Sequence, residues 1–173
     1  MKSFRFLTLI LVITMSFSGC QVIKLAKKIK SLKAQAEMYA DAFKSGDYQK
    51  MLDMTYPQLV EKLGGETQAL AAIKSSSEQI KSTGLNFAGI ETSEPTDVVQ
   101  AGKELHSIIT QKISIKVPGG FLDTELHFLA VSKDKGKTWS FIDTSRNNVK
   151  DLVPSLNPDL TIPKVGKPVF RRG

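Results

Sequence analysis

The chain has 173 residues, 41% hydrophobic and 24% charged, with 12 Gly, 7 Pro and a single Cys. That length supports one domain of ordinary size, and the composition excludes collagen-like, coiled-coil and disulfide-scaffold classes. The formal charge of +7 sits at the ends: residues 1–36 carry seven Lys/Arg and residues 164–173 four more, with no acid in either stretch. Residues 37–163 therefore hold 13 basic against all 17 acidic side chains, a net −4, which argues against a groove built for nucleic-acid phosphates.

Lys2 and Arg5 precede an apolar run, Phe6 to Met15, broken only by Thr8 and Thr14; Ser16, Ser18 and Gly19 then lead to Cys20. A positive start, a short apolar run and small residues make a secretory signal peptide. Positions 6–23 are uncharged, long enough for a membrane span to compete. The strongly apolar part, however, falls well short of the ~20 residues a span needs. Ser18-Gly19-Cys20 resembles the lipobox of bacterial lipoproteins, with Phe17 where an aliphatic residue is usual. The resemblance implies cleavage before Cys20, a diacylglycerol on its thiol and a fatty acid such as palmitate on its amino group. A lipid chain contributes about 0.8 kcal/mol per buried methylene, so several chains hold a protein on a bilayer durably. Gln21, rather than Asp, follows the cysteine; within that family this implies the outer membrane, facing the periplasm.

Residues 22–44 read as one helix, because Val22, Leu25, Ala26, Ile29, Leu32, Ala36, Tyr39, Ala40 and Phe43 recur at three- and four-residue steps. Its first half is lysine-rich, a pattern that suits a tether lying near anionic headgroups. Gly46 should end it, Asp47 should cap a short helix over 48–55, and Pro57 should open another over 58–63. Gly64-Gly65 breaks the chain before a helix over 66–82, with Leu70, Ile73 and Ile80 inward and Gly84 closing it. Beyond Gly84 the period changes to two. Strands are expected over 85–91, 97–101, 105–117, 121–132 and 138–143, with a turn at Ser93-Glu94-Pro95-Thr96 and another at Pro118-Gly119-Gly120. Residues 152–173, with Pro154, Pro158, Pro163 and Pro168, read as an extended tail. The expected organisation is a signal peptide 1–19, a lipidated basic tether 20–36, a folded domain 37–150 and a Pro-rich tail 151–173.

Helices first and an antiparallel sheet of about four strands afterwards make the fold class α+β. The run Tyr39-Ala40-Asp41-Ala42-Phe43-Lys44-Ser45-Gly46-Asp47-Tyr48, followed by Met51-Leu52, resembles the NTF2-like (cystatin-like cone) superfamily. That resemblance implies a curved sheet wrapped around a helix to leave a conical cavity, which binds small molecules in some members, catalyses in a few and is plugged in many. The expected lining is Tyr39, Phe43, Met51, Met54, Tyr56, Phe128, Trp139 and Phe141.

Ser132-Lys133-Asp134-Lys135-Gly136-Lys137-Thr138-Trp139 matches the Asp-box known from sialidases at every fixed position. In that family the box is structural. Here Ser132, Asp134, Gly136 and Trp139 read as a hairpin staple, because one copy cannot build a propeller and no arginine triad is evident. A hairpin centred on Gly119 would set His106 opposite Ser132 and His127 opposite Gln111. The imidazoles would then lie roughly 17 Å apart on the more polar sheet face. Such a pair holds no common metal, and no cofactor site is expected. Asp53 with Tyr56, or Asp41 with Tyr39, is the remaining acid/base option for a small-molecule isomerase or hydrolase. The reading preferred is a non-catalytic lipoprotein that binds a hydrophobic small ligand or a partner, with self-association through the polar sheet face as one form of partnership.

Overall fold

The computed structural model describes residues 4–82, 86–145 and 147–173. Gly84 and Leu85, expected to close a helix and open a strand, lie outside the described residues, as does the side chain of Cys20.

Four helices come first: α1 (Phe4–Ser45), α2 (Tyr48–Asp53), α3 (Pro57–Lys62) and α4 (Glu66–Ser82). Local chemistry sets their ends. Gly46 takes φ 76°, which lets the Asp47 N–H reach the Ala42 carbonyl at 2.9 Å and close α1. The Asp47 carboxylate accepts from the Lys50 N–H at 3.1 Å, satisfying a free donor of α2. Pro57 opens α3, where its missing N–H costs nothing. Among its described side chains α4 fully buries only the small Ala69 and Ser77, with Leu70 and Ile73 half-buried; the side chain of Ile80, also expected inward, lies outside the described residues. Helix α4 therefore packs close on α2 and α3.

The rest of the fold is one antiparallel sheet of β1 (Asn86–Thr92), β2 (Val99–Ala101), β3 (Glu104–Val117), β4 (Gly120–Ser132), β5 (Ser140–Asp143) and β6 (Val169–Arg172), with a short α5 (Val149–Leu152). The main path is β1-β3-β4-β5. β1 and β2 run in one direction along the same edge of β3. Between them the Ser93 and Thr96 amides still donate to Thr110 and Ile108 carbonyls, both at 2.9 Å. The Ser93–Thr96 cluster thus interrupts an edge instead of reversing the chain. β6 adds itself beside the first four residues of β4.

The β3–β4 hairpin closes on a two-residue turn, Pro118-Gly119, between Val117 and Gly120. Gly119 has φ 82°, as the second turn residue after a proline requires. His106 therefore faces Val131, and His127 faces Thr110; the expected register was one residue out. The expected surface setting of the histidines is also overturned, since His106 is 0% and His127 4% exposed.

Beyond residues 105–109 of β3 one face of the sheet is open; over those residues both faces are covered. On one, Leu32 and Ala36 of α1 pack against Leu105, Ile109, Phe128, Ala130, Trp139 and Phe141. On the other, Ile108, Leu129, Val131 and Ile142 pack against Tyr56, Leu59, Val149, Leu152 and Val153, with Leu156, Leu160 and Ile162 alongside. Each fully buried Leu, Ile or Val contributes roughly 1.5–3 kcal/mol. The first half of the Pro-rich segment is thus core material: Val153 is 0% exposed. Among the described residues, no helix is long and apolar enough to cross a membrane.

Candidate functional site

The aromatic residues expected to line a cavity are packed against one another. Tyr39 meets Phe128 edge-on with centroids 5.6 Å apart, and Phe141 at 5.4 Å. Trp139 and Met54 join the same cluster. Phe43 stands apart, crossing Phe87 at 5.5 Å and 87°; Met51 is buried on α2. Tyr56 belongs to the opposite face, with Leu129 and Ile142. Burial, and after it the negative charge of Asp143, pushes the Tyr39 phenol up to about 12, while the Thr55 hydroxyl pulls weakly the other way. Tyr39 is thus a fixed wall group rather than an acid near neutral pH. The carboxylates proposed as its catalytic companions lie outside. Asp41 is exposed and paired with Lys44, and Asp53 is exposed and accepts from Gln49 at 2.9 Å.

The Asp-box closes as a turn with Lys135 at φ 66° and Gly136 at φ 88°. Asp134 Oδ1 accepts from Ser132 Oγ and the Lys137 and Thr138 amides at 2.9, 3.0 and 2.9 Å; Oδ2 accepts from Thr138 Oγ1 at 2.7 Å. Burial alone would raise the Asp134 carboxyl, but these donors outweigh it and hold it at about 2. The turn is also clamped to α1. Gln35 Nε2 donates to the Lys137 carbonyl, and Gln35 Oε1 accepts from the Trp139 N–H, both at 2.9 Å. The staple therefore joins sheet to helix as well as strand to strand. Nothing in the local sequence marks Gln35 for this, since its partners lie about a hundred residues on. The Trp139 indole N–H is buried without a partner.

An open cleft of ≈ 490 Å³ lies on the sheet face away from α1, lined by Tyr56, Gln58, Lys62, Glu104, Leu152 and Ser155, among others. Glu104 is its hub. Its Oε2 accepts from Ser155 Oγ at 2.7 Å and lies 3.2 Å from His106 Nε2, and Lys133 stands 3.7 Å from Oε1. Burial would raise the Glu104 carboxyl, but Ser155, His106 and Lys133 together hold it below its ordinary value. Burial, and after it the Glu104 charge, raises the Tyr56 phenol, over whose ring Lys133 sits at 5.0 Å. The serine bonds to the carboxylate and not to the imidazole, so the only base it faces is a carboxylate held below its ordinary value. His106 is fully enclosed, with Nδ1 unpartnered. This cluster ties the C-terminal segment to the end of β3 and leaves a small charged recess rather than a nucleophile. Sequence reasoning missed it because Ser155 arrives from 51 positions away.

Among the described residues, no three His, Cys, Asp or Glu side chains gather where a metal ion could sit. No family model, curated protein or solved structure matches the chain.

Proposed function

We propose that the protein is a lipid-anchored lipoprotein of the bacterial envelope, held in the outer membrane by acylated Cys20, whose domain is a plugged NTF2-like cone that binds a partner on its outside. The observation carrying the functional half is the filled interior. Leu32 at 0% and Ala36 at 1% exposure sit where a ligand would enter, against Phe128, Phe141 and Trp139. This favours a partner over an enclosed hydrophobic ligand. It also weighs against the isomerase or hydrolase alternative, which needs an enclosed carboxylate beside a tyrosine; Asp41 and Asp53 face solvent. If the partner is a second copy, the part of the sheet left bare by the C-terminal segment, around Lys112 and Lys116, is the surface on offer.

Two measurements test this. Replacing Cys20 by Ser should abolish incorporation of labelled fatty acid and move the protein out of the lipidated membrane pool; unchanged acylation refutes the anchor. Native mass spectrometry of protein extracted from its own membrane should report an added polypeptide mass. A retained small molecule of a few hundred daltons would refute the plugged-cone reading.

A further inference from the structure

We infer that a composite lysine patch, formed where the Asp-box turn docks on α1, lies against anionic lipid headgroups and sets the domain's orientation on the membrane; this rests on the anchor proposed above. In sequence the lysines belong to two separate stretches. The fold brings them together. A Cβ built on Gly136 would lie 2.8 Å from the Lys28 side chain. The Lys137 carbonyl accepts from Ser31 and Gln35 at 3.3 and 2.9 Å. Lys135 and Lys137, both exposed, thereby extend the stripe of Lys24, Lys27 and Lys28, which lie on the same side of α1 as Ser31 and Gln35.

Further observations single out this surface. Residues 1–36 contain no acid, and the one acid in 132–139, Asp134, has its oxygens engaged inside the turn. The neighbouring lysines that do have carboxylate partners are different ones: Lys33 pairs with Glu94, and Lys133 turns to Glu104. Among the described residues, Lys135 and Lys137 have no ion pair. Lys135 also holds φ 66°, a conformation that penalises any residue with a Cβ. Apolar Ile23 and Leu25, 59% and 43% exposed, lie at the same end of α1. Distance from the anchor sets the geometry required. Lys28 is eight residues from Cys20 along α1, about 12 Å at the helical rise, while the screening length at physiological salt is ~8 Å. The proposed orientation is therefore one in which α1 lies along the surface, turn side down, rather than standing upright.

The experiment is amine footprinting. Protein extracted from its membrane is reconstituted on vesicles of phosphatidylcholine alone or of phosphatidylcholine with phosphatidylglycerol, pulsed with an acetylating reagent and mapped by peptide mass spectrometry. Lys135 and Lys137 should label about fivefold less on the anionic vesicles, the factor expected for one lysine at a charged surface. Lys116 and Lys150, exposed on other parts of the domain, should label equally on both. The protection should vanish in salt strong enough to cut the screening length to about 3 Å. Substituting Lys135→Gln and Lys137→Gln together should abolish the extra protection of Lys28 while leaving the circular dichroism unchanged. Equal labelling of Lys135 and Lys137 on both vesicles, or equal protection by both, overturns the patch. The N-terminal peptide from the same digest reports the acyl mass on Cys20, so failure of the anchor is read separately.

Discussion

Gln35→Ala isolates the clamp between α1 and the Asp-box turn. The amide makes three bonds at 2.9 Å, to Ser31 Oγ, the Lys137 carbonyl and the Trp139 N–H. The Lys137 carbonyl keeps a longer bond from Ser31 at 3.3 Å, so its loss is partial. The part-buried Trp139 N–H has no replacement acceptor. An ordinary hydrogen bond contributes about 1 kcal/mol net, and a stranded buried donor costs about 1–3 kcal/mol. The sum is a destabilisation of about 2–3 kcal/mol, or a fall in Tm of roughly 5–10 °C for a domain of this size. Urea and thermal unfolding would measure it. The only tryptophan supplies a second readout, because Trp139 is 3% exposed and its emission should shift to the red if the turn lifts from the helix. Glu37→Ala, at an exposed site on the same helix, should stay within about 0.5 kcal/mol of the parent. A Gln35→Ala protein as stable as that control, with unshifted emission, would refute the clamp.

Three other changes test separate parts of the fold. Folding lowers the Asp134 pKa from 3.8 to about 2. Its stabilisation is therefore complete above the unfolded value and lost as pH falls through the folded one. Asp134→Asn should flatten the acid limb of stability over that window, incompletely, because Asp123 is likewise held at about 2 by Ser114 and Lys112; an unchanged urea-midpoint profile would contradict the reading. Gly120→Ala places a Cβ against the Arg171 carbonyl oxygen, so hydrogen exchange over 169–172 should rise while the core stays protected. Glu104→Ala leaves both nitrogens of fully buried His106 without a partner. It should cost roughly 1–3 kcal/mol and speed exchange around Ser155; equal stability would mean the carboxylate anchors nothing.

What the sequence makes legible is local. The Gly46, Asp47 and Pro57 helix ends and the Asp-box hydrogen bonds depend on neighbours within five residues, and the expected elements match. The single-faced alternation of β3 shows in residues 110–117, which lie beyond the C-terminal cover; residues 105–109 are buried on both faces. There His106 looks like a surface residue until Leu152 and Val153 arrive from the end of the chain to cover its face, where its cross-strand partner Val131 packs. The hairpin register failed because two glycines follow Pro118 and either could close the turn. A slip of one residue there changes every cross-strand partner. The aromatic interior carries a different lesson. Tyr39, Phe128 and Phe141 have the same composition around a void or a plug, and only the depth to which α1 inserts Leu32 distinguishes them.

The pairing of β6 bears on solubility. β5 occupies residues 128–131 of the outer edge of β4, and β6 occupies 120–123. Without its last four strand residues the protein would present a row of unpaired amides and carbonyls beside Phe121 and Leu122, a template for stacking onto another molecule. The gap left between the two short strands carries exposed Glu125, a charge that discourages such growth. Strand β6 thus acts as a guard against self-association into fibres, and deleting residues 169–172 should lower the concentration at which the protein precipitates.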